Sequence, residues 1–311
     1  MNQSVYPLWQ RIWIYQRERF PSFRFGLISL AFSFCGICIS RLMRSEISWP
    51  HFSSAVVAFC CVFLFFLQLR FLDEFKDYET DCLHRPERPV PRGLVSLKQI
   101  GWVFVITVLI QGVLVFSLSP FLFILLLAVW CYMALMTVEF FVADWLKPRL
   151  LTYMWTHMLI MPVIDFFVTG CDWLRSPRFP PAGLLVFLLV SFFNGLLVEL
   201  GRKIWAPEQE RPNVDSYSSY CGLEKALLIF RWVMLAAYVC ILIVGFQVGF
   251  FVSVVLVMTL LLLWGFFVVS KFARTCSVTE AKKLENFSGV WVITSYLMMG
   301  IIPLGYSIWN K

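Results

Sequence analysis

Residues 72–93 read LDEFKDYETDCLHRPERPVPRG and follow the apolar run AVVAFCCVFLFFLQL. Five acidic side chains, Asp73, Glu74, Asp77, Glu79 and Asp81, gather where an apolar helix meets water. Asp73, Asp77 and Asp81 recur every four residues, so they share one helical face. That face lies near the C-terminal end of the helix, where the macrodipole disfavours negative charge. Carboxylates packed in such a place repel one another unless a cation sits among them. A basic, proline-spaced loop with Arg85, Arg88 and Arg92 comes next. Hard oxygen ligands beside arginines point to Mg²⁺ and a phosphate-bearing substrate. The bland alternative is a solvated acidic cap on a membrane helix, but ionisable groups at a membrane edge are functional-site hypotheses by default.

The elements that must position these groups are membrane helices. Of the 311 residues, 60% are hydrophobic, 18% aromatic and only 14% charged, which excludes an ordinary soluble domain. Nine apolar windows fall at about 25–43, 53–72, 101–119, 121–143, 151–169, 182–200, 226–246, 248–270 and 287–308. Each is near the ~20 residues that cross a bilayer. The expected architecture is an all-α bundle of nine transmembrane helices, with residues 1–24 as a separate N-terminal segment and 25–311 as one membrane domain. Short connections at 118–120 and between Gly245 and Gly249 make helical hairpins. The stretch WQRIWIYQRERF before the first window reads as an interfacial helix with Trp9, Ile12 and Trp13 toward lipid. No cleavable signal peptide precedes that window.

Basic residues set the expected orientation. Arg11, Arg17, Arg19, Arg24, Arg70, Lys76, Arg85, Arg88, Arg92, Lys98, Lys147, Arg149, Arg202, Lys203, Arg211, Lys225, Lys271, Arg274, Lys282 and Lys283 fall on one side, and Arg41, Arg44, Arg175, Arg178 and Lys311 on the other. The richer side is expected to be cytoplasmic, with the N-terminus inside, the C-terminus outside and the chain in a cell inner membrane or its equivalent. The net charge of +7 suits an anionic leaflet or substrate and is no argument for nucleic acid. The ten cysteines form no disulfide framework, and Cys35-x-x-Cys38 reads as packing. His51 and His157 show no partner in sequence, and no histidine metal site is expected. Glu139 and Asp165 stand inside apolar windows, where ionisable groups are costly, and Asp165 near Pro162 is a cavity candidate. Asn194, near one turn from Glu199, is another; an interhelical hydrogen bond is the competing role for it.

The acidic stretch and its loop resemble a known family. Asp73-Glu74-Phe75-Lys76-Asp77-Tyr78-Glu79-Thr80-Asp81, then Arg85-Pro86-Glu87-Arg88-Pro89-Val90-Pro91-Arg92-Gly93, is similar to the first signature of the UbiA superfamily of intramembrane prenyltransferases. That signature runs Asn-Asp-x-x-Asp-x-x-x-Asp before an Arg-Pro loop; Asp73 stands at its Asn and Glu74 at its first Asp. The resemblance implies a helical bundle with a central lipid-open cavity and an active site at the cytoplasmic side. The second Asp-rich signature is degenerate. In NGLLVELGRKIWAPEQER, Glu199 takes the first acidic position, Arg202 takes the next with Lys203 beside it, and Glu208 and Glu210 come late. The family's Tyr-x-x-x-Lys is present as Tyr132, with Met136 in place of the lysine.

The resemblance implies that Asp73, Glu74, Asp77, Asp81 and Glu199 hold Mg²⁺, and that Arg19, Lys76, Arg85, Arg88, Tyr132, Arg202 and Lys203 hold a diphosphate. The expected reaction ionises a prenyl diphosphate and passes the isoprenoid to a small lipophilic acceptor, whose identity the sequence does not give. Two rivals stay open: a terpene cyclase of the same superfamily, and a transporter for a divalent cation or phosphate compound. Against the transporter stand the absence of matched broken-helix repeats and the clustering of charge at one face. The oligomeric state is not readable.

Overall fold

The computed structural model describes residues 6–175, 179–211 and 214–311, so Arg178 of the orientation count lies outside the described residues. Among them every regular element is helical. The helices are α1 (Leu8–Arg19), α2 (Ser22–Met43), α3 (Phe52–Lys76), α4 (Tyr78–His84), α5 (Leu97–Leu118), α6 (Leu122–Thr137), α7 (Ala143–Leu146) and α8 (Leu150–Met158). They continue as α9 (Ile160–Trp173), α10 (Leu184–Lys203), α11 (Tyr217–Cys221), α12 (Leu223–Gln247), α13 (Phe251–Thr275), α14 (Val278–Met299) and α15 (Ile301–Trp309).

Among the described residues, eight stretches are long and apolar enough to cross a membrane: α2, α3, α5, the pair α8–α9, α10, α12, α13 and the pair α14–α15. The fourth apolar window holds the shorter α6, of 16 residues. Continuous helix through that window was the expectation. Instead Glu139, Phe140 and Phe141 take left-handed φ of 50°, 53° and 61° and end the helix. Two other windows are bent. The break at Leu159 precedes Pro162, whose missing N–H leaves the carbonyl one turn earlier without its helical donor. The break at Gly300 precedes Pro303, and a Cβ at Gly300 would lie 2.7 Å from the Cys35 carbonyl of α2.

Helices α2, α9, α10 and α14 close a four-membered ring, each packed on the next. Without a hydrophobic force between helices in lipid, such contacts rely on close approach at small residues. At Gly36 a Cβ would come within 2.8 Å of Val168, so α2 and α9 meet there only because the side chain is missing. Helices α3, α5 and α6 flank one side of the ring, and α12 and α13 the other. Cys35 and Cys38 are buried in α2, and all ten cysteines are free thiols. At the bundle end remote from the acidic stretch, buried Asp172 of α9 binds Arg41 and Arg44 of the α2 C-terminal end at 3.1 and 2.7 Å, and the Ser40 hydroxyl donates to it at 2.8 Å.

Helix α1 presents Leu8, Trp9, Ile12 and Trp13 outward. Its other face is fastened. Buried Arg11 donates to the Leu94 carbonyl at 2.7 Å and to Gln99 Oε1 at 2.8 Å, while Tyr15 packs with Phe71, Val90, Leu94, Val95 and Ile100. Arg92 closes the clamp by donating both terminal nitrogens to Glu18 at 3.0 and 2.9 Å.

Candidate active site

The acidic face is continuous across the end of α3. Asp77 N–H donates to the Asp73 carbonyl at 2.9 Å, Asp81 N–H to that of Asp77 at 2.8 Å, and Arg85 N–H to that of Asp81 at 2.9 Å. The ladder holds the four residues one turn apart although the regular helix pauses at Asp77. The side chains then divide into two kinds. Glu74 and Asp81 are buried, and both are held by arginines. Arg19 Nε reaches Glu74 at 2.6 Å, with Arg70 at 3.9 Å; Arg85 reaches Asp81 at 3.3 Å, and Arg88 also donates to it. Asp73 meets Arg70 at 2.8 Å and is more than half exposed. Asp77 is half-buried and, among the described residues, enters no ion pair.

The loop behind the face is folded by its own turns. Arg88 N–H bonds the Arg85 carbonyl at 3.1 Å, Arg92 N–H that of Arg88 at 3.0 Å, and Gly93 N–H that of Val90 at 3.0 Å. Gly93 has φ +76°, a conformation with little cost only for glycine. Burial draws Arg88 below the ordinary guanidinium value, and its bond to Asp81 works against that.

The end of α10 supplies the second half. Glu199 binds Arg202 at 2.6 Å and Lys203 at 2.9 Å, and the Tyr217 hydroxyl of α11 lies 3.4 Å from it. Burial, with the Glu199 charge beside it, keeps that phenol well above its ordinary value and hence a donor. The Arg202 side chain is 58% exposed. Its charge acts on Asp73 and the Asp73 charge on it, so the two groups lie within electrostatic reach of each other.

A third wall comes from α6 and α8. Lys76 Nζ meets Glu139 Oε1 at 2.6 Å and His157 Nε2 at 3.3 Å, and it also donates to the Tyr153 hydroxyl. An ammonium has three donors, and all three are engaged here. Tyr153 stacks on His157 with ring centroids 3.8 Å apart and feels the Asp73 and Asp77 charges.

The residues expected from sequence are therefore distributed unevenly. Asp73, Asp77, Asp81, Arg85 and Arg88 gather at and just beyond the end of α3, Glu199, Arg202 and Lys203 at the end of α10, and Arg19 reaches Glu74 from α1. Lys76 points into the α6–α8 wall. Tyr132 donates to the Thr156 carbonyl at 2.5 Å and stays within the helix packing. Asn194 donates to Ser295 at 3.0 Å, and fully buried Asp165 accepts from Tyr296; both lie between helices in the ring. His157, which has no visible partner in sequence, is a member of the wall, and Tyr153 and Tyr217 were missed. Their partners are distant in the chain, so only the intramembrane position of His157 carried a signal.

Among the described residues no three His, Cys, Asp or Glu side chains are grouped to hold an ion. Glu74, Asp81 and Glu199 instead hold cations in place. Asp77, with no ion pair among the described residues, and Asp73, paired only with partly exposed Arg70, would suit Mg²⁺, which takes one or two carboxylates and completes its shell with water and substrate phosphate.

The apolar helices and their charged end define a multi-pass membrane protein. The profile of the UbiA prenyltransferase family matches residues 29–291, and the chain belongs to that family. It is similar to the digeranylgeranylglyceryl phosphate synthase of Thermococcus kodakarensis, at 40% identity over 53 residues; the match spans 17% of this chain and 19% of that enzyme. The fold is similar to the apo structure of a UbiA homolog from Aeropyrum pernix K1, with a TM-score of 0.65, 14% identity, and coverage of 92% of this chain and 97% of that one. A solved structure from work on digeranylgeranylglyceryl phosphate synthase in membranes aligns with a TM-score of 0.60 at 14% identity, over 93% of this chain and 99% of that one.

Proposed function

We propose that this chain ionises a prenyl diphosphate between the ends of α3 and α10 and transfers the isoprenoid to a lipophilic acceptor. One observation carries the reading: arginines with donors to spare stand beside Asp77, which enters no ion pair among the described residues, and Asp73, which is more than half exposed and paired with Arg70 alone. Asp81 engages one terminal nitrogen each of Arg85 and Arg88, and Glu199 one of Arg202, so each guanidinium keeps further N–H groups. Those groups meet the phosphate oxygens as negative charge grows on the leaving diphosphate, and charge-assisted bonds of this kind strengthen with that charge. Mg²⁺ held by Asp73 and Asp77 supplies Lewis-acid stabilisation of the same group when bound. Below the charged end α3 and α10 continue as apolar spans, so an isoprenoid attached there enters hydrocarbon rather than water. The geranylgeranyl group in the name of the matched synthase makes that diphosphate the first donor to try.

The test is pyrophosphate release by purified protein from geranyl, farnesyl and geranylgeranyl diphosphate. Release that requires a divalent cation and stops with EDTA is expected for at least one donor. Arg202→Ala should raise KM for that donor about tenfold, the loss of one charge-assisted contact. No release from any of the three sinks the proposal.

A further inference from the structure

Glu139 is a buried carboxylate with one oxygen used and one oxygen idle. Oε1 binds Lys76 at 2.6 Å. Oε2 is shielded from solvent and has no hydrogen-bond donor. The nearest candidate, His157 Nε2 at 3.6 Å, does not carry a proton for it. His157 Nδ1 lies 2.9 Å from the Tyr153 carbonyl, which only accepts, so the ring proton is on Nδ1. Nε2 is then a lone pair, and the Lys76 ammonium 3.3 Å away occupies it. A second proton on the ring would face that ammonium directly. Glu139 also sits in the left-handed run that ends α6, a backbone conformation that L residues rarely adopt. The clamp to Lys76 needs only Oε1. An unpaired buried carboxylate oxygen beside the charged site fits a ligand that brings a donor.

We infer that Glu139 Oε2 receives the proton of a hydroxyl-bearing acceptor, an alcohol or a phenol, in the transfer reaction; this rests on the function proposed above. The bond between the isoprenoid carbon and the diphosphate oxygen breaks, and its electron pair leaves with the diphosphate. A lone pair of the acceptor oxygen forms the new carbon–oxygen bond. The acceptor O–H bond breaks, and its proton goes to Oε2. Prenyl diphosphate and alcohol thus give ether, pyrophosphate and one proton. An oxygen bonding to a carbocation becomes strongly acidic, so a carboxylate paired with lysine is base enough.

The experiment measures two rates in detergent-purified protein: pyrophosphate release without acceptor, and prenyl transfer to hexadecanol, a monoacylglycerol and 4-hydroxybenzoate, each beside its O-methyl ether. Wild type is expected to prenylate at least one hydroxyl probe and not its ether. Glu139→Gln should cut transfer about a hundredfold more than it cuts acceptor-free release, the scale of a lost general base. Glu139→Asp, which keeps the charge, should retain more transfer than Glu139→Gln. A purely structural role would lower both rates together, and that result overturns the inference. Equal transfer to the ethers, undiminished transfer in Glu139→Gln, or release without transfer to any hydroxyl probe also overturns it. Wild type that releases no pyrophosphate sinks the proposed function itself and this step with it.

Discussion

At the scale of single residues, the decisive distinction is between carboxylates that wait for a cation and carboxylates that already hold one. Asp77 belongs to the first kind, Asp81 and Glu199 to the second, and Asp73 stands between them, more than half exposed beside Arg70. Their variants should therefore fail differently. Asp77→Asn is expected to abolish turnover or to shift the Mg²⁺ requirement strongly, because a metal Lewis acid supplies several kcal/mol in the transition state. Asp81→Asn should keep the wild-type Mg²⁺ half-saturation and raise KM for the diphosphate about tenfold, since it frees Arg85 and Arg88 from their anchor. Mg²⁺ titration of pyrophosphate release separates the two. A normal Mg²⁺ response in Asp77→Asn, or a shifted one in Asp81→Asn, reverses the roles. The shared face of Asp73, Asp77 and Asp81 was legible in sequence because a helical period is local. Which of the three stays open was not, because exposure is set by the loop that folds back over Asp81.

At the scale of elements, the structure departs from the sequence reading where long-range contacts set the local conformation. The end of α6 carries no glycine or proline, so nothing local marks a left-handed turn at Glu139–Phe141. Distant contacts come from α3 and α8: Lys76 is 63 residues from Glu139 in the chain, and the His157 ring meets Phe140 edge-on at 5.8 Å, beside a local edge-on contact from Tyr132 of α6 at 5.7 Å. The bends at Leu159 and Gly300, by contrast, follow from prolines printed in the sequence. Helix α1 shows the same division. Its outward aromatic face was readable from spacing, whereas the bond from Arg11 to Leu94 crosses 83 residues. That bond ties α1 to the arginine loop, so Arg11→Ala should loosen α1 and with it the Arg19–Glu74 pair. Loss of a buried charge-assisted donor costs about 1–3 kcal/mol. A lowered unfolding midpoint in detergent, together with faster proteolysis after Arg17 or Arg19, is the expected result; an unchanged midpoint and cleavage rate would show that α1 is held by its apolar contacts alone.

At the scale of the whole molecule, the two ends of the bundle carry similar ion pairs put to opposite use. At the Asp172 end the Arg41 and Arg44 side chains are 6% and 7% exposed, and both point at Asp172. At the other end Arg85, Arg88, Arg202 and Lys203 are 31%, 22%, 58% and 26% exposed around their carboxylates. Buried, mutually satisfied pairs make a lock between helices, while exposed cations with spare donors make a binding surface. Removing one partner of a buried pair leaves an uncompensated charge and costs about 3–5 kcal/mol, whereas an exposed pair is worth about 1 kcal/mol or less. Asp172→Ala should thus lower the unfolding midpoint markedly and leave KM for the prenyl diphosphate within about twofold. Glu199→Gln should barely move the midpoint and raise that KM about tenfold as Arg202 and Lys203 lose their alignment. Unfolding scans and steady-state kinetics on the two purified variants decide it. A stable Asp172→Ala protein, or a Glu199→Gln enzyme with unchanged KM, would mean that exposure does not separate lock from site in this bundle.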